Sequence, residues 1–71
     1  MNLINAIIFI TNGGNIPLKL LVIPQKGEMI RYYDSLGKPN IGKIVDIVYM
    51  LDIGNELEKV HIFVEKQNHT K

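Results

Sequence analysis

Polarity along this chain falls into short apolar blocks separated by glycine, proline and asparagine. Leu3-Ile4-Asn5-Ala6-Ile7-Ile8-Phe9-Ile10 is rich in β-branched residues, and Asn12-Gly13-Gly14-Asn15 follows it directly. Glycine takes positive φ with no Cβ to clash and asparagine tolerates it, so this cluster predicts a hairpin. A second strand is predicted over residues 16–23, where Ile16, Leu18, Leu20 and Val22 share one parity and would line one face. Pro17 has no N–H and belongs at the start of that strand or on an exposed edge. Pro24 ends it, and Gly27 permits a sharp turn into a third strand over 29–33. There Ile30 and Tyr32 point one way and Met29, Arg31 and Tyr33 the other. Asp34-Ser35-Leu36-Gly37-Lys38-Pro39-Asn40 is turn chemistry throughout.

From Ile41 to Leu51 the chain is almost continuously apolar, with Lys43 and Asp46 as its only charges. Ile44 and Ile47, like Val45 and Val48, are spaced by three, whereas a strand has period two. A β-bulge or bend near Asp46 would reset the parity. Ile44, Ile47, Val48 and Leu51 also fit a helical template, but the Ile, Val and Tyr content and the lack of caps favour a strand. Gly54-Asn55 centres the next turn. A fifth strand is predicted over 57–65, with Val60, Ile62 and Val64 inward and Lys59, His61, Phe63 and Glu65 outward. Residues 66–71 carry no apolar side chain and are expected to form a disordered polar tail after one domain spanning 1–65.

Five strands, short turns and no predicted helix imply an all-β fold. The expected form is a small five-stranded antiparallel barrel with a long bent fourth strand, because closure removes exposed sheet edges. Pro24-x-x-Gly27-Glu28-x-Ile30, then Gly42-Lys43-Ile44-x-x-Ile47, then Val60-x-Ile62-x-Val64 resembles the SH3-like small barrels. That group includes KOW-type modules and many short uncharacterised bacterial and phage proteins. The resemblance covers about Pro24 to Glu65 and rests on turn and core residues, so what it implies is fold, with activity left open. Unlike KOW-type RNA binders, the chain has no basic cluster between Asp34 and Asn40 beyond Lys38.

Composition narrows the picture further. A domain of 71 residues buries only about 60% of the surface its unfolded chain exposes, and without cysteine no disulfide or thiolate metal site reinforces it. Apolar residues make up 46% of the chain, so packing, and self-association where faces remain, must supply the stability. The net charge of +1 gives no global field toward phosphate or anionic lipid. The first apolar run is far short of a membrane span and lacks the basic flank of a signal peptide, which makes the cytoplasm the expected compartment, with no membrane partner.

No catalytic constellation emerges. His61 and His69 are the only histidines, and neither has a partner at ligand spacing. Glu56, Glu58, His61 and Glu65 lack the converging loop a hard cation needs. Glu28 reads as a solvated turn carboxylate, and Asn12-Gly13-Gly14-Asn15 lacks the Lys-Ser/Thr of a phosphate loop. The expectation is a non-enzymatic protein with no cofactor and no metal.

Binding remains. Leu3, Ile7 and Phe9 share one parity of the first strand and Ile4, Ala6, Ile8 and Ile10 the other, so that strand is apolar on both faces. A small barrel has one interior, and the second face predicts a protein interface through Leu3, Ile7 and Phe9. The partner would be another protein or a second copy in a homodimer, as in a phage or mobile-element accessory or inhibitor protein. The alternative is weak single-stranded nucleic-acid binding through Arg31, Tyr32, Tyr33, Lys38 and Lys43, which combine aromatic stacking surfaces with cations.

Overall fold

The computed structural model describes residues 2–67, and the strands follow the polarity pattern. They are β1 (Ile4–Ile10), β2 (Asn15–Leu20), β3 (Met29–Tyr33), β4 (Pro39–Leu51) and β5 (Leu57–Lys66). They form one sheet in the order β2-β1-β5-β4-β3, curled into a half-barrel with no helix among the described residues. The interior is filled by Ala6, Ile8, Tyr32, Ile44, Val60, Ile62 and Val64, all buried. Val60, Ile62 and Val64 are the inward parity predicted for the fifth strand.

The all-β, barrel-like architecture is the expected one, while its strand directions and closure are corrected. β1 and β5 pair in parallel, with Ile7 level with His61 and Phe9 with Phe63. The physical reason is the number of chain reversals. Four reversals separate β1 from β5, an even number, so β5 points as β1 does and the pair between them cannot be antiparallel. The sheet is also open, because β2 and β3 are its two edges and share no ladder. Ile10 N–H donates to Gly14 O at 3.0 Å, which turns the backbone groups of Asn15, Pro17 and Lys19 toward the β2 edge. Pro17, without a donor, helps blunt that edge.

β2 stops at Leu20 rather than Ile23. Its last ladder partner is Ile4, where β1 begins, and beyond it Leu21 and Val22 stand 63% and 73% exposed. In β4 the register slips between Ile44 and Asp46, leaving Val45 as the bulge residue that the spacing of three predicts. The Asp46 carboxylate accepts the Ile47 N–H at 2.9 Å there. Gly27 N–H donates to Ile44 O at 2.7 Å and Ile44 N–H to Glu28 O at 2.9 Å, which ties the Pro24–Glu28 corner to the residue before the bulge.

Two hairpin turns share one chemistry. Asp34 exchanges backbone bonds with Gly37 and Lys38, and Asp52 with Asn55 and Glu56, in three-residue loops closed by a left-handed residue. That residue is Gly37 at φ 79° in one and Asn55 at φ 65° in the other. In each loop the aspartate Oδ1 accepts the N–H groups two and four residues ahead. Beyond Val60 and Tyr49 the β4–β5 hairpin has no third strand beside it, and it projects as a two-stranded arm. Of the expected tail, Lys66 ends β5 and Gln67 N–H donates to Ile41 O; residues 68–71, His69 included, lie outside the described residues.

Candidate functional site

The register places a second set of apolar side chains on the outer face, opposite the core. Ile7 and Phe9 of β1 lie level with His61 and Phe63 of β5, and Val48 of β4 lies opposite His61. The rings pack against one another. Phe9 and Phe63 stack with centroids 5.3 Å apart, and His61 meets Phe9 edge-on at 4.9 Å. Phe9, His61, Phe63 and Ile7 are half-buried by their neighbours in the sheet, and Val48 is 41% exposed. His61 Nε2 is buried and has no hydrogen-bond partner, a condition that costs about 1–3 kcal/mol.

Below this cluster the same face hollows into a depression of about 470 Å³ between β2, β1 and the start of β5. Ile7 and Pro17 supply its apolar floor, between the backbones of Ala6 and Leu18 whose side chains turn to the core, and Asn5, Lys19, Glu58 and Lys59 surround it. Of the residues predicted for a protein interface, Ile7 and Phe9 are therefore brought into one patch. Leu3 precedes β1 and is 49% exposed beyond the ladder.

The residues predicted for nucleic-acid contact divide. Arg31, Tyr33 and Lys43 share the outer face, with the Arg31 guanidinium 5.5 Å from the Tyr33 ring centroid. Tyr32 points the other way into the core, only 7% exposed, where burial and then the Asp34 charge raise its hydroxyl above the ordinary value of 10.0. Lys38 sits in the β3–β4 turn. Its backbone N–H is the main reason the Asp34 carboxyl lies below its usual range, with Asn40 and Leu36 adding to the effect.

Among the described residues, no group of three or more His, Cys, Asp or Glu side chains converges as a metal site would. With no helix among those residues, none is long and apolar enough to cross a membrane. No family model, curated protein or solved structure matches the chain. The sequence places Phe63 outward with no role assigned to it, and His61 enters the sequence reading only as a metal-ligand candidate. The signal was present in the outward parity of the fifth strand, but its meaning depends on the parallel pairing with β1.

Proposed function

We infer that the chain is a small non-catalytic protein-binding module whose contact surface is the outer face of β1 and β5. The observation that carries this reading is the stacked Phe9–Phe63 pair with His61, set on the side of the sheet that the protein's own core does not use. Aromatic side chains supply large contact area at low entropic cost, and such clusters are typical of interface centres. Within the SH3-like resemblance, this is the profile of a cytoplasmic accessory or inhibitor protein of bacterial or phage type.

Arg31, Tyr33 and Lys43 on that face support single-stranded nucleic acid as the second reading. It is weaker, because few cations are available to displace counterions. One experiment separates the two. A photo-crosslinking phenylalanine analogue at position 9, irradiated in cells of the source organism, is expected to give a discrete protein adduct that Phe63→Asp abolishes. Adducts removed by nuclease would transfer the assignment to nucleic acid. Labelling no stronger than from position 36, in the exposed β3–β4 turn, would refute both.

A further inference from the structure

The tip of the β4–β5 arm is built unlike an ordinary surface turn. Ile53 occupies its apex and is fully exposed, while Leu51 and Leu57, paired just below it, are 54% and 43% exposed. The loop is held firmly, since the Asp52 carboxylate accepts the Gly54 and Glu56 N–H groups at 2.8 and 3.0 Å. From Leu51 to Glu58 the only charges are the carboxylates of Asp52, Glu56 and Glu58. An apolar apex with an acidic collar seeks an apolar hollow with a basic rim. The hollow on the outer face has that character: Ile7 and Pro17 supply its apolar floor, and Lys19 and Lys59 outnumber Glu58 around it.

We propose that the occupant of this hollow is the arm tip of a second copy, and that two copies exchange tips about a two-fold axis to form a closed dimer. The proposal rests on the outer face being a protein-binding surface and names its partner as the chain itself. A chain cannot fill its own hollow, because its tip lies about 13 Å further along the same stiff hairpin, four residues beyond the last level that β1 supports. Two arms laid antiparallel remove that obstacle. A two-fold axis crossing the arms midway puts each tip at the other's hollow, and both contacts form at once.

The exposed area is large enough for a dimer interface. The chain exposes 5441 Å², roughly 900 Å² more than a compact monomer of its mass. A standard interface removes about 800 Å² from each partner. The radius of gyration is 13.0 Å, against about 11 Å for a compact domain of this length. A two-stranded hairpin with exposed leucines on one face is marginal in water on its own and gains from being covered.

Sedimentation equilibrium of the full chain from about 5 to 500 µM tests the proposal. Wild type is expected as monomer and dimer with no larger species. Ile53→Asp, at a fully exposed position that leaves the fold intact by circular dichroism, is expected to remain monomeric. Lys19→Glu and Glu56→Lys are each expected to weaken association at least tenfold, and the double variant to return to within about threefold of wild type. A monomeric wild type, a dimer indifferent to Ile53→Asp, assembly beyond the dimer, or a double variant as weak as the singles would each overturn it. Such a result leaves the position 9 crosslinking outcome standing, so failure of the dimer and failure of the outer-face reading are distinguishable.

Discussion

Gly42 of β4 lies opposite Lys66 of β5 with its Cα against the Val64 side chain, and Gly42→Ala tests that packing directly. A Cβ at this position would overlap Cγ1 of Val64, with the Tyr32 ring carbon Cε1 at 3.3 Å and the Glu65 carbonyl at 3.4 Å. Val64 is fully buried and Tyr32 nearly so, so none of the three neighbours can step aside into solvent. Overpacking of this kind costs about 1–3 kcal/mol, and the immobile backbone neighbour places Gly42→Ala near the top of that range. Lower unfolded-state entropy returns about 0.4–1 kcal/mol, leaving a net loss of about 2 kcal/mol. For a domain of this size that lowers Tm by roughly 8–16 °C, readable by circular dichroism at fixed protein concentration. Val64→Ala alone should cost about 2–3 kcal/mol through lost methyl burial and the cavity left behind. The methyl group added at position 42 occupies part of that cavity, so the double variant should be more stable than the sum of the singles by at least about 1 kcal/mol. A Tm change under about 2 °C for Gly42→Ala, or strict additivity, would show that β4 and β5 do not pack as described.

Two further perturbations probe the turn and the end of β2. The folded-state pKa of Asp34 is depressed, so its contribution is present above the unfolded value near 3.8 and is lost as pH falls through the lower folded value. Melting at pH 7, 5 and 3 should therefore show a wild-type advantage over Asp34→Asn that shrinks at pH 3; an advantage independent of pH would refute the turn's carboxylate role. Val22→Thr, outside the ladder and 73% exposed, should change stability by less than about 0.5 kcal/mol in urea titration. A larger loss would mean that β2 does extend to residue 23.

What could be read from the chain beforehand was whatever depends on neighbouring residues. The alternation of Val60, Ile62 and Val64, the left-handed residues in the turns and the bulge marked by Ile44 and Ile47 are all local, and the structure follows them. What could not be read depends on which strands meet. β2 ends at Leu20 because β1 begins at Ile4, and nothing within Leu21-Val22-Ile23 records where a partner strand starts. The parallel β1–β5 pair likewise joins segments more than fifty residues apart. That pairing turns two ordinary outward aromatics into one stacked pair, so Phe63 acquires meaning only beside Phe9.

The apolar outer face also predicts a separation between stability and binding along a single strand. Ile62 and Phe63 are adjacent in β5 but face opposite ways, one 2% exposed in the core and the other half-buried in the aromatic cluster. Ile62→Thr would place a hydroxyl in an apolar interior and remove methyl burial, a combined loss of at least about 3 kcal/mol. Phe63→Thr loses stacking worth about 0.5–1.5 kcal/mol and some half-exposed area, while threonine suits an outward strand position. Its net cost should stay below about 2 kcal/mol, measured by urea unfolding. The order reverses for binding: Phe63→Thr should remove the protein adduct formed from position 9 while the chain stays folded. If Phe63→Thr instead unfolded the chain as readily as Ile62→Thr, the outer aromatics would belong to the core, and the outer face would lose its claim as a docking surface.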